Sequence, residues 1–197
     1  MKLNTLERFV VNSAPRAWVQ EFIEIPKMLK HAPLPDEPHV LEVGCGRGRG
    51  LKALHKILNP AKLHGFDFDQ KQVARARKIC PEAYSWHGAL PKIPANQGTY
   101  DGVFDFGVLH HIENWQEALE AMVDVTKTGG HIYILEYYKA FICNPLIKNL
   151  LDHPQDNRFS HTELIEECKK HGLAVLHDHH KFNAMGMVIL QKTEPVQ

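Results

Sequence analysis

Along most of the chain, short apolar runs alternate with longer stretches whose apolar residues recur every three or four positions. The first kind reads as buried strand, the second as amphipathic helix. Val40 to Val43 is such a run, interrupted only by the acidic Glu42, and Leu51, Leu54 and Leu58 then share one helical face. Lys62 to Phe66 predicts a second strand. Asp69 to Gln72 has capping-box form ahead of a helix through Val73, Ala76 and Ile79. Ala83 to His87, Tyr100 to Phe106 and His131 to Glu136 predict three more strands. Before the last of these, Asn114 to Glu117 caps a helix striped by Trp115, Leu119, Met122 and Thr126, and Thr128-Gly129-Gly130 makes the turn. Ser160 to Glu163 opens a final helix, apolar at Leu164, Ile165 and Cys168 and ended by Gly172. Leu173 to Asp178 and Met187 to Lys192 close the chain as two strands joined through Asn183 to Gly186.

Two stretches stand outside this rhythm. Arg16 to Leu29 has helical periodicity with Trp18, Phe22, Ile25 and Leu29 along one stripe, and the proline-rich His31 to Pro38 links it to the first strand. Tyr137 to Ser160 is the least patterned part, with Pro145 and Pro154 among several polar residues.

The candidate chemistry begins where the first strand ends. Glycines stand at 44, 46, 48 and 50, between a strand and a helix. A glycine-rich turn there lets backbone approach a ligand closely, as in nucleotide-binding βαβ units. A dinucleotide fingerprint needs glycine at 49, which is arginine. What stands instead is an acidic residue, a spacer and G-x-G-x-G: Glu42, Gly44, Gly46 and Gly48. Asp67 follows about 20 residues later at a strand's carboxyl end, where a carboxylate can accept from both ribose hydroxyls.

The glycine stretch resembles the first motif of class I S-adenosylmethionine-dependent methyltransferases, and the similarity runs from about Asn4 to Lys192. Tyr100-Asp101-Gly102-Val103 followed by Val108-Leu109-His110-His111 resembles the "F-D-x-V … V-L-H-H" pattern of the small-molecule members, with Tyr100 in place of phenylalanine. The resemblance implies an α/β fold: a Rossmann-like, seven-stranded, mostly parallel sheet with helices on both faces and an antiparallel last strand. It implies S-adenosyl-L-methionine as cofactor, with Glu42, Gly44, Cys45, Gly46, Asp67, Phe68, Ala89, Leu90 and Phe106 around it. Phe68 matches the position that packs on adenine. The family commonly has an acidic residue on the adenine amino group where this chain has Ala89, so backbone near Ala89 and Leu90, or packing alone, must serve. In phosphoethanolamine methyltransferases, which resemble the fourth-strand segment, the histidine matching His110 is the base; a structural role, hydrogen-bonding the turn after the strand, is the alternative for His110 and His111 alike. The resemblance also implies a single domain over 1–197, with residues 1–38 as a helical lid segment and 137–160 as a substrate-recognition insert. For the leading helix, plain packing against the domain is an equal alternative.

The expected activity is methyl transfer to a small-molecule or lipid-like acceptor, which requires a base only where the acceptor must lose a proton. An NAD(P)-dependent oxidoreductase shares the first βαβ unit, and a non-catalytic S-adenosylmethionine-binding protein would share every motif. Composition narrows the setting. The chain has 197 residues, enough for one well-buried domain, and 23 basic side chains balance 23 acidic ones. No cationic run supports nucleic-acid binding, and no apolar run approaches a membrane span. Four scattered cysteines read as reduced thiols of a cytoplasmic protein. Among 14 histidines, His177, His179 and His180 cluster on an expected strand, whose alternating faces argue against a metal site. Oligomeric state is left open.

Overall fold

The computed structural model describes residues 14–143 and 157–194. The chain enters through α1 (Ala14–Val19), a π-helical turn (Gln20–Glu24) and α2 (Ile25–His31), which run on without a break. Then come β1 (His39–Val43), α3 (Arg49–Leu58), β2 (Lys62–Asp67), α4 (Gln70–Ile79), β3 (Tyr84–His87) and β4 (Tyr100–Phe106). A 3-10 turn (Leu109–His111) leads to α5 (Trp115–Val125) and β5 (Thr126–Tyr137), and a short α6 (Lys139–Ile142) follows. After the undescribed stretch stand α7 (His161–Lys170), β6 (Leu173–Lys181) and β7 (Met185–Lys192).

The strands form one seven-stranded sheet in the order β3-β2-β1-β4-β5-β7-β6. β1 pairs in parallel with β2 and β4, and β4 with β5, while β7 is antiparallel to both β5 and β6. Alternation along the strands divides the core in two. Leu41, Val103, Ile132, Ile134 and Val188 join one cluster with Trp115 and Leu119 of α5 and Leu164 of α7. Val40, Phe104, Tyr133, Leu135 and Ile189 join the other with Met28 of α2 and Leu51 and Leu54 of α3. Helices therefore cover both faces, and each fully buried leucine contributes about 1.5–3 kcal/mol.

Of four local expectations one holds and three do not. Ser160 and Glu163 form the expected capping box. Asp69 caps α4 through the Lys71 N–H, but no reciprocal box forms. Asn114 occupies the N-cap of α5 without a side-chain cap bond. Thr128-Gly129-Gly130 is not a turn ahead of the strand, because β5 starts at Thr126 and absorbs it through an irregular register against Tyr100 and Gly102.

The leading helix departs most. Ile25 and Met28 are buried, whereas Trp18 and Phe22 are 56% and 58% exposed. The π turn, which contains Phe22, widens the helix and rotates the face, so one straight stripe cannot stay buried. Residues 1–13 of the expected lid and 144–156 of the expected insert lie outside the described residues.

Candidate active site

β1 delivers Glu42 and the loop after it into the crevice at the carboxyl ends of the parallel strands. The Cys45 N–H donates to the Phe66 carbonyl at 2.8 Å and the Gly46 N–H to Asp67 Oδ2 at 2.9 Å, tying the loop to the end of β2. Gly44 has φ +59°, and a Cβ there would meet Val108 Cγ2 at 2.4 Å. Gly46 has φ +51° with nothing within 4 Å of a Cβ position, so its outer face is open. Glu42 is 4% exposed and accepts from the Leu51 N–H. Its Oε2 is enclosed without a hydrogen-bond partner. Burial, and then the nearby Asp67 carboxyl, push the Glu42 pKa well above the usual range. A Cβ on Gly50 would stand 2.1 Å from Glu42 Oε1 and 2.8 Å from Gln20 Nε2, so α3 needs a glycine where these side chains meet.

Asp67 ends β2 and is 7% exposed. Its Oδ1 accepts the Asp69 N–H at 2.8 Å, opposite the Gly46 bond on Oδ2. Burial raises its pKa against the pull of these two N–H groups. Each oxygen retains lone-pair capacity for a further donor. Phe68 beside it is 39% exposed, a free aromatic face at the crevice. Across the mouth, the Ala89 carbonyl accepts from the Lys92 N–H at 3.0 Å and Leu90 is half-buried against the core. Phe106 ends β4 and stacks on Phe104, with ring centroids 5.8 Å apart.

Residues 40–130 match the family model described as a methyltransferase domain. That stretch is a class I S-adenosylmethionine-dependent methyltransferase domain. It is similar to the probable S-adenosylmethionine-dependent methyltransferase of Mycolicibacterium smegmatis, 30% identical over 91 residues, 46% of this chain and 35% of that one. The phthiotriol/phenolphthiotriol dimycocerosates methyltransferase of Mycobacterium tuberculosis is 29% identical over 94 residues, 47% and 35% of the two chains. The chain thus spans about a third of the length of these curated relatives. A solved S-adenosylmethionine-dependent methyltransferase from Aquifex aeolicus shares the fold, with a TM-score of 0.74, 19% identity and coverage of 96% and 98%. The cofactor of this methyltransferase family is S-adenosyl-L-methionine.

The site residues of this methyltransferase domain fit that cofactor chemically. Its ammonium group needs a buried acceptor, and Glu42 Oε2 is one that lacks a donor. Two mutually repelling carboxyls, Glu42 and Asp67, favour a cationic ligand between or beside them.

A second polar group stands where β4 and β5 end. His110 lies in the 3-10 turn and is 5% exposed. Its Nδ1 is 2.5 Å from Glu136 Oε2 and its ring centroid 4.0 Å from that of His111. Burial, reinforced by Arg158, lowers the His110 pKa to about 3. Burial thus favours the neutral form of this imidazole. Asp105 and Glu136, which sequence reasoning missed, are both fully buried beside it. Their signal was available, since each is an acidic residue inside an apolar strand run, as Glu42 is.

The described cavity of about 650 Å³, lined by His64, Tyr84, Trp86 and Tyr100 among others, borders the first half of β2 and the start of β4, away from this chemistry. His177 of the histidine cluster stacks on His31 at 3.7 Å. Among the described residues, no group of three or more His, Cys, Asp or Glu side chains could hold a metal ion. No helix there is long and apolar enough to cross a membrane.

Proposed function

We propose that this chain transfers a methyl group from S-adenosyl-L-methionine to a small-molecule or lipid-like acceptor, with His110 as the base. The observation that carries the reading is the enclosed, unpartnered Glu42 Oε2 beside a loop whose backbone is tied to Asp67. Bound there, the cofactor supplies a methyl group on a sulfonium, already activated for displacement. Glu42 takes its ammonium group, and Asp67 its ribose hydroxyls. Gly44, Cys45 and Gly46 line it with backbone, and Phe68 covers the adenine. Backbone at Ala89 and Leu90 serves in place of the missing carboxylate, with Phe106 closing the floor. Residues 1–38 act as lid, and 137–160 help recognise the acceptor. The mycobacterial relative's name, a methyltransferase of phthiotriol dimycocerosates, supports a lipid-like acceptor.

His110 removes the acceptor's proton, which excluded water cannot do once the site closes. Calorimetry should show S-adenosylhomocysteine binding and no NAD binding. An acceptor screen detecting S-adenosylhomocysteine release should then identify turnover. His110→Ala should lower that turnover about 10²–10⁴-fold with product affinity unchanged. NAD binding, or full turnover in the variant, refutes the cofactor or the base assignment respectively.

A further inference from the structure

Beneath His110 lie two fully buried carboxyls for which the reading above has no use. Asp105, near the end of β4, accepts the Val108 N–H at 2.8 Å through Oδ1. Its Oδ2 is enclosed without a donor, and its carboxyl interacts with that of Glu136. Two carboxylates are acceptors only, so this contact is satisfied only with a proton between them. Glu136 in turn accepts the backbone N–H groups of His110 at 3.4 Å and Tyr137 at 3.0 Å, and that of Leu109. Its Oε2 also faces His110 Nδ1 at 2.5 Å.

We propose that Asp105 and Glu136 share one proton and act as positioning residues for His110, fixing its proton on Nδ1 and leaving Nε2 as the base nitrogen. The inference rests on the methyl-transfer reading. Asp105 is the partner that keeps the proton and donates it to Glu136, so Glu136 can only accept from Nδ1–H. In the transfer step the acceptor's proton passes to Nε2 while its electron pair takes the methyl carbon. The carbon–sulfur pair stays with sulfur, and the Glu136 carboxylate meets the new imidazolium charge. Without that carboxylate, a buried imidazolium would stand uncompensated.

Among the described residues, the groups facing this network include His111 and Tyr137 against the His110 ring, at 4.0 and 5.6 Å, and Arg158, which acts on both His110 and Glu136. Burial lowers His110 to about 3 and raises Glu136 to about 7, with Asp105 higher still than its usual range. Turnover should therefore rise with pH through about 7, an acid limb that belongs to the carboxyl pair and not to the histidine.

The test is nitrogen NMR of histidine-labelled protein, read beside pH–rate profiles. Wild type should show His110 as the Nδ1–H tautomer. Glu136→Gln should lose that single tautomer, lose the acid limb and lower turnover about 10²–10⁴-fold, the scale of a misplaced imidazole proton. Asp105→Asn, whose amide still donates to Glu136, should keep both the tautomer and the acid limb, whereas Asp105→Ala, which removes that donor, should move the limb to higher pH. A retained Nδ1–H tautomer and unchanged pH profile in Glu136→Gln overturn the proposal. So does an unmoved acid limb in Asp105→Ala. If wild type transfers no methyl group to any acceptor, the methyl-transfer reading fails, yet the wild-type and variant spectra still decide the positioning role.

Discussion

Asp67→Asn separates the two tasks this carboxyl performs. In the protein, Oδ2 takes the Gly46 N–H at 2.9 Å and Oδ1 the Asp69 N–H at 2.8 Å. Asparagine has nearly the same shape but offers one carbonyl oxygen and one NH₂ group. One of the two backbone N–H groups must then face a donor. At a position 7% exposed, leaving such a group unsatisfied costs about 1–3 kcal/mol of stability. Binding loses a charge-assisted bond to a ribose hydroxyl as well, again about 1–3 kcal/mol, or roughly 5- to 150-fold in affinity. Thermal or denaturant unfolding reads the first loss, and calorimetry with S-adenosylhomocysteine at a temperature where the variant is folded reads the second. A destabilised variant with wild-type affinity would show that Asp67 only braces the loop. The ribose assignment would then be wrong.

Two further outcomes test the frame around the site. Gly44→Ala should destabilise the fold by about 1–3 kcal/mol in denaturant unfolding, because its φ is +59° and the added carbon would fall 2.4 Å from Val108 Cγ2; an unchanged midpoint refutes the close approach. Residues 1–38 should be cut more slowly by protease when S-adenosylhomocysteine and acceptor are bound, since a lid closes over a filled crevice; equal rates with and without ligands argue for a fixed helix.

The fold was legible because the sheet is parallel and enclosed. Stretches such as Ile132 to Leu135 are buried on both faces, so they read as unbroken apolar runs between periodic helices. The glycine loop and Asp67 were legible for a similar reason, since backbone approach and a carboxylate at a strand end leave fixed spacings. The helix stripe of Trp18 and Phe22 misled because a π turn has no residue signature and still rotates everything before it. Thr128 to Gly130 misled because an irregular pairing against β4 absorbed the glycines into β5. Asp105 and Glu136 escaped because their partner is across the sheet: β4 and β5 set Phe104 opposite Tyr133 and Asp105 opposite Ile134, and only the folded ends bring the carboxyls together.

The same π turn divides the leading helix into two halves held by different forces. Its second half is anchored: Ile25 and Met28 are fully buried, and the Tyr133 hydroxyl donates to the Ala32 carbonyl at 2.7 Å. Its first half is held by ion pairs, Arg16 to Glu24 at 2.6 Å across the π turn and Lys56 to Glu21 at 2.8 Å onto α3. The second of these is between exposed or half-exposed groups, a class worth about 0–1 kcal/mol. Burial of apolar area thus fixes α2, while weak polar contacts fix α1. The π turn is where the two regimes meet, and it also turns Gln20 inward beside Gly50 and Glu42. Gln20 thereby brings the leading helix to the same point as the carboxyl expected to meet the cofactor's ammonium group, so burial on one side of the turn and polar contact on the other both end at Glu42.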